Sequence, residues 1–184
     1  IGYHSIPVIV DAYLKGIQDF DAEKALEAMI HSADQNHLGL ESYKALGYVA
    51  SDQESESVSK TLEYAYDDWC IAQMAKAMGK QAIYERFINR AQAYKNLLNP
   101  EHGFFQAREN HQWFEPFRPE EVNFHYTEAN AWQYGFYVPQ DIETFANYLD
   151  QSTGLEEKLN ALFSAPQETS GRHQADITGL IGQY

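Results

Sequence analysis

The stretch from residue 57 to 78, SVSKTLEYAYDDWCIAQMAKAM, limits the possible folds of this chain more than any other feature. Its apolar residues recur at the spacing of an amphipathic helix, and Gly79 follows as a stop signal. The stripe consists of Val58, Leu62, Ala65, Trp69, Ala72 and Met74. A helix of this length is stable in water mainly when other helices cover its apolar side. The stretch therefore predicts a helical protein.

Helical patterns also occur on both sides of this stretch, and their ends carry suitable capping residues. Helices are predicted at 6–17, from Asp21 to about 33, at 40–46, 81–98, 128–134, 140–149 and 154–163, and from Asp176 onward. Residues 100–125 lack a sustained period and predict a long loop with a short hairpin at GFFQARENHQW. The fold class is therefore all-α, built from helical hairpins. No fixed-period repeat is visible, which favours an α/α toroid over a solenoid.

Charge and cysteine content exclude several classes of function. The net charge is −14, with 27 acidic and 13 basic residues. No cluster of basic residues is dense enough to neutralise phosphates, so we expect neither nucleic acid nor an anionic membrane as a partner. Cys70 is the single cysteine, which excludes an intramolecular disulfide and a thiolate metal cluster. The acidity does suit calcium, which prefers oxygen ligands.

Acidic side chains are paired on the long predicted helix. Glu63 and Asp67 are four residues apart and share one face, while Tyr64 and Asp68 share the adjoining face. Like charges at this spacing repel each other unless a cation, an arginine or sugar hydroxyls compensate. A solvated acidic face and a binding site both remain open.

A second candidate site lies in HYTEANAWQYGFYVP, residues 125–139, where one carboxylate stands among aromatic rings. Glu128 is flanked by Tyr126, Trp132 and Tyr134. It is either a solvated residue at a helix start or a proton donor in a sugar-sized pocket. An apolar, aromatic environment disfavours the charged form of a carboxylic acid, as a general acid requires.

Four segments together resemble a known family, in its order and over essentially the whole chain: GYHSIPVIVDAYLKGI, SVSKTLEYAYDDWCIAQMAKAMGK, YTEANAWQYGFYVPQD and ITGLIGQY. They resemble the alpha-mannosidases of glycoside hydrolase family 92. The resemblance implies a calcium-dependent, inverting exo-α-mannosidase, periplasmic or secreted, that commonly acts on α-1,2-linked mannose of N-glycans or mannan. It also implies an N-terminal β-sandwich and an (α/α)6 toroid, of which residues 1–184 form a central part.

The resemblance assigns Glu128 as the general acid. Its segment matches the motif YTEGNAWQY, with Ala129 where the motif carries Gly; a methyl group there would disturb a turn that needs positive φ. The family's general base lies on a downstream motif that this chain does not reach. We therefore expect the chain to be a fragment that is inactive alone.

The remaining site residues are also expectations from the resemblance and its neighbourhood. We expect substrate binding by Asp67, Asp68, Trp132 and His4. Asn130 and Gln133 are candidate calcium ligands because their side chains carry oxygen, although ordinary polar helix residues would look the same.

A second class of function remains, namely a non-catalytic helical module that binds a glycan or a protein. The environment of Glu128 separates the two: a cleft beside other carboxylates favours the enzyme, and open solvent favours the module. A toroid cut between helices would also expose apolar surface, so we expect self-association through it.

Overall fold

A computed structural model describes residues 2–150, 154–173, 177 and 179–180. Within these residues the fold is all-α, as predicted. The helices are α1 (Ser5–Leu14), α2 (Ala22–Ala33), α3 (Leu40–Leu46), α4 (Ser57–Ala77), α5 (Gln81–Arg90), a 3-10 helix (Ala93–Asn96), α6 (Ala131–Tyr134), α7 (Ile142–Leu149) and α8 (Leu155–Ser164).

Helix α4 is the centre of the fold. It packs against α1, α2, α5 and the 3-10 helix, and most of its residues are buried. An apolar cluster lies on each side of it: one includes Ile6, Leu26 and Phe87, and the other includes Tyr43 and Leu62. Because almost every face of α4 is covered, its polar residues must find partners inside the protein.

Several predicted helix ends are confirmed by their capping geometry. The Asp21 side chain accepts a hydrogen bond from the backbone N–H of Lys24, which caps α2. Gly47 and Gly79 follow α3 and α4 with φ of 76° and 72°, the left-handed conformation that ends many helices.

The helix predicted at 81–98 is wrong in length, because α5 ends at Arg90 and a 3-10 helix follows. Ala91, Tyr94 and Leu97 are all buried, and a three-residue spacing places them on one side. The chain must also become extended by Leu98, which forms a β-bridge with Phe105. The pairing of Leu98 with Phe105 therefore ends the helix earlier than the spacing of its apolar residues predicts.

Short strands lie in and beyond the long loop. The predicted hairpin is confirmed: β1 (Arg108–Glu109) pairs antiparallel with β2 (Gln112–Trp113). The sequence did not indicate the parallel pair of β3 (Glu121–Val122) with β4 (Ser170–Gly171).

The helix predicted at about 128–134 is present and ends at Tyr134, but it begins three residues later than predicted, at Ala131. Asn130 caps α6, and Glu128 lies before it. The predicted helix start at Asp176 lies outside the described residues. Closure of these helices into a toroid stays a prediction. None of the helices that the structure describes is long and apolar enough to cross a membrane.

Candidate active site

Three polar residues on α4 form a continuous stripe, which we call the α4 polar stripe: Ser59, Glu63 and Asp67. They are spaced by four residues and therefore lie on one side of the helix. Ser59 and Asp67 are fully buried, and the Glu63 side chain is 17% exposed. The stripe connects the start of α1 with the segment that carries Glu128.

His4 joins two carboxylates of the stripe. Its Nδ1 lies 2.8 Å from Asp67 Oδ2, and its Nε2 lies 2.8 Å from Glu63 Oε2. Burial alone lowers the pKa of His4, but hydrogen bonding and the negative charges of Asp67 and Glu63 outweigh burial and raise it to about 10. His4 is therefore an imidazolium at neutral pH, and it compensates the repulsion that the sequence indicated.

Asp67 keeps one oxygen available. Burial raises its pKa, and His4 opposes that shift. Among the described residues Asp67 Oδ1 is buried without a hydrogen-bond partner. A buried acceptor of this kind normally has a donor, which a ligand hydroxyl or a water molecule can supply.

Tyr134 links the stripe to the segment that carries Glu128. Its hydroxyl donates to Glu63 Oε1 at 2.8 Å, and both burial and the Glu63 charge raise the pKa of Tyr134. Tyr137 stands beside Tyr134 and Tyr66, with ring centroids 6.1 and 6.4 Å away. Carboxylates, an imidazolium and tyrosine rings thus meet at one place, which is a combination suited to binding a sugar.

Glu128 occupies a left-handed turn with φ of 47° and is exposed. The positive φ therefore falls on Glu128 and not on Ala129, which is buried. The methyl group that distinguishes this chain from the motif lies in the core. Glu128 is exposed but does not start a helix, so neither condition set from the sequence is met in full, and its role as the general acid stays a prediction.

Asn130 and Gln133 form a capping box at the start of α6. Asn130 Oδ1 accepts from the backbone N–H groups of Trp132 and Gln133, and Gln133 Oε1 accepts from the N–H of Asn130. Calcium binding by these two oxygens stays a prediction. The part of the chain that the structure describes contains no group of three or more His, Cys, Asp or Glu side chains arranged to hold a metal ion. Both amide oxygens are already used as acceptors for backbone N–H groups, so Asn130 and Gln133 alone do not form a calcium site.

Asp68 and Trp132 have contacts inside the protein. Both Asp68 oxygens accept from Arg90, at 2.7 and 2.8 Å, and Tyr43 donates to Oδ2 at 2.8 Å. Trp132 is half-buried and meets Phe104 edge to face, with ring centroids 4.7 Å apart. Substrate binding by these two residues is not supported by their contacts, and it stays a prediction.

Comparison with known proteins decides the family. The model of the glycosyl hydrolase family 92 catalytic domain matches residues 1–184. The chain belongs to glycosyl hydrolase family 92. Two solved family 92 structures, both from Bacteroides thetaiotaomicron, show how closely this fold is shared. The alpha-mannosidase BT3965 is 42% identical with a TM-score of 0.84, over 89% of this chain and 22% of that protein. The inverting mannosidase BT2199 is 39% identical with a TM-score of 0.84, over 91% of this chain and 24% of that protein.

Other relatives extend the comparison. BT3965 in complex with mannoimidazole matches with a TM-score of 0.86 and 39% identity, over 92% of this chain and 23% of that protein. An uncharacterized secreted glycosidase of Arthroderma benhamiae is 29% identical over 224 residues, covering all of this chain and 29% of that protein. This family 92 chain thus spans between a fifth and a third of the length of these relatives.

The sequence indicated part of the site and missed the rest. It paired Glu63 with Asp67 and named His4, and the structure brings these three together. Ser59 was missed, although its spacing of four from Glu63 continues the same face. The spacing shows which side chains share a face, but not which distant segment that face meets.

Proposed function

We propose that this chain supplies the general-acid part of the active centre of an inverting α-mannosidase, with Glu128 as the acid. The observation that carries the proposal is the match to an inverting mannosidase at 39% identity over 91% of this chain. The substrate class is a mannose-containing glycan, because a related α-mannosidase binds mannoimidazole. Cleavage of α-1,2 linkages, and a location outside the cytoplasm, belong to the proposal by resemblance.

The chemistry divides between two carboxyl groups. Protonated Glu128 donates its proton to the glycosidic oxygen while the bond from the anomeric carbon to that oxygen breaks. Water attacks the anomeric carbon from the opposite face and gives its proton to a carboxylate base. We expect that base from another part of the full-length enzyme. This division explains why we expect no hydrolysis by the 184-residue chain alone.

The α4 polar stripe would bind hydroxyl groups of the sugar. Asp67 Oδ1 is a buried acceptor without a partner among the described residues, and Glu63 is partly exposed beside it on the same face. The imidazolium of His4 lies between both carboxylates and keeps them oriented. Tyrosine rings nearby offer apolar surface to the faces of a sugar.

Calcium dependence is part of the proposal, but its ligands would come largely from elsewhere. Asn130 and Gln133 offer amide oxygens that already accept hydrogen bonds within the capping box. A calcium ion held by other residues of the full-length enzyme would supply Lewis-acid chemistry at the sugar. Chelation of the full-length enzyme, followed by calcium repletion, tests this expectation.

The test of the main proposal uses the full-length enzyme and α-1,2-mannobiose. We expect Glu128→Gln to lower kcat by about 10²- to 10⁴-fold, the usual contribution of a general acid. Proton NMR should show β-mannose as the first product. The control is Glu101→Gln, another exposed glutamate, which should leave turnover unchanged. Full activity in Glu128→Gln would exclude Glu128 as the acid.

The exposure of Glu128 supports a second candidate, a non-catalytic glycan-binding module. A module should bind mannobiose as the isolated 184-residue chain, and calorimetry can measure this binding. Binding without turnover in the full-length protein would favour the module over the enzyme.

A further inference from the structure

The first turn of α4 holds the segment that leads into Glu128. The first N–H groups of a helix have no acceptor within the helix and need one outside it. Here the backbone N–H of Val58 donates to His125 O at 3.0 Å, and that of Glu56, just before the helix, donates to Phe124 O at 2.6 Å. Residues 124–125 therefore serve as the acceptors at this helix end.

Ser59 extends this attachment to Thr127. Its side chain is fully buried, and its Oγ accepts a hydrogen bond from the backbone N–H of Thr127 at 2.8 Å. Thr127 directly precedes Glu128. The hydroxyl of Ser59 thus fixes the peptide unit between Tyr126 and Thr127, one residue before the left-handed Glu128.

The conformation of Glu128 needs such support. A residue with a Cβ atom is disfavoured at φ of 47°, and it keeps this conformation only when the surrounding structure determines it. On the other side of Glu128, the capping box of Asn130 and the bond from Tyr134 to Glu63 fix the chain. The α4 polar stripe therefore holds the turn from both sides through Ser59 and Glu63.

We propose that Ser59 is a positioning residue for Glu128, acting through the N–H of Thr127. This inference rests on the proposed function, in which Glu128 is the general acid. The hydroxyl does not touch substrate; it sets the direction in which the Glu128 carboxyl group points toward the leaving oxygen. A small misplacement of a catalytic group lowers the rate of the step that the group assists.

The test compares two substrates of the full-length enzyme. A disaccharide such as α-1,2-mannobiose has a poor leaving group and depends on a general acid, while 2,4-dinitrophenyl α-mannoside does not. We expect Ser59→Ala to lower kcat/KM for mannobiose by about 10- to 100-fold and for the aryl mannoside by less than about threefold.

Ser57→Ala is the matched control. Ser57 is also fully buried in the first turn of α4, and its Oγ has no hydrogen-bond partner among the described residues. We expect Ser57→Ala to change kcat/KM by less than about twofold for each substrate, so the ratio of the two kcat/KM values should stay that of the wild type. An equal loss on both substrates in Ser59→Ala would mean a general structural defect and would overturn the inference.

Two further variants keep the outcomes distinct. If Ser59→Ala does not fold, Ser59→Cys replaces the hydroxyl by a somewhat larger thiol that is a weaker acceptor. It should also lower kcat/KM more for mannobiose than for the aryl mannoside, but by a smaller factor. Absence of that difference in Ser59→Cys also overturns the inference. Glu128→Gln removes the acid itself, so it should lower kcat/KM for mannobiose far more than for the aryl mannoside. If Glu128→Gln shows no selective loss on mannobiose, the proposed function is wrong. If Glu128→Gln shows this loss and the Ser59 variants do not, only the positioning role of Ser59 is wrong.

Discussion

At the scale of single residues, Asp68 and Arg90 form an ion pair inside the molecule. Asp68 is completely buried, and Arg90 and Tyr43 satisfy its oxygens. Burial raises the pKa of Asp68 to about 6, although the Arg90 charge opposes that shift. The pair joins α4 to α5, which explains why the sequence carries an acid at this buried position.

We expect Asp68→Ala to destabilise the chain by about 3–5 kcal/mol, because it leaves the Arg90 charge buried without its partner. Urea unfolding measures this change. The control is Asp11→Ala, which removes an exposed pair with Lys15 and should change the free energy of unfolding by less than about 1 kcal/mol. Similar values for both variants would contradict a structural role for Asp68.

His4 gives the stability a defined pH dependence. Its pKa is about 10 in the folded chain and near 6.5 when unfolded, so the folded state holds an extra proton between these values. The contribution of protonated His4 to the free energy of unfolding is fully present below pH 6.5 and is lost as the pH rises through about 10. The stability difference between the wild type and His4→Gln should therefore shrink over this range. Urea midpoints at several pH values measure it, and a constant difference would contradict the assignment.

At the scale of elements, the helices that end at local signals were predictable, and those that end because of distant contacts were not. Asp21, Gly47 and Gly79 mark boundaries by their own chemistry. The end of α5 depends on the pairing of Leu98 with Phe105, and the late start of α6 depends on a capping box that also orders Glu128. Those contacts join residues whose proximity the sequence does not encode locally.

Docking of α8 depends on a buried lysine. Lys158 donates to Gly103 O, and its Nζ lies 4.0 Å from the centroid of the Phe104 ring. Burial lowers the pKa of Lys158 to about 7 from its ordinary 10.5. Between pH 7 and 10.5 the unfolded state therefore holds a proton on Lys158 that the folded state lacks. The free energy of unfolding rises with pH over this range, whereas the effect of His4 makes it fall.

Lys158→Met should remove that rise, because methionine carries no proton to lose. We expect its urea midpoint, relative to wild type, to fall progressively as the pH increases from 7 to 10. A parallel pH dependence in both proteins would show that Lys158 titrates at its ordinary pKa. Lys24→Met, at an exposed position on α2, serves as the control.

At the scale of the whole molecule, large apolar side chains remain exposed. Val8, Ile17 and Phe163 are 70%, 64% and 67% exposed. Exposed apolar side chains favour association where they form a continuous patch, and Val8 on α1 lies near Ile17 in the sequence, three residues beyond the end of that helix. We expect sedimentation velocity of the 184-residue chain to show concentration-dependent self-association. Val8→Asp combined with Ile17→Asp should reduce it, and a concentration-independent monomer in the parent chain would contradict this expectation.

The candidate site also depends on contacts between residues that are far apart in the sequence. The resemblance selected Glu128, and helical spacing selected Glu63 with Asp67. Neither indicated that Ser59 and Tyr134 connect the two regions, because these bonds join residues 68 and 71 positions apart. Long-range hydrogen bonds of this kind follow from the packing of the entire domain.

The attachment of residues 124–127 to the first turn of α4 also limits motion. An amide proton exchanges with solvent only when its hydrogen bond opens, and the N–H of Thr127 is bonded to a buried side chain of the central helix. Its exchange should therefore be as slow as that of the buried α4 amides, and not fast as in an ordinary surface loop. The turn carrying Glu128 then opens only together with the start of α4, so it cannot act as an independent mobile lid.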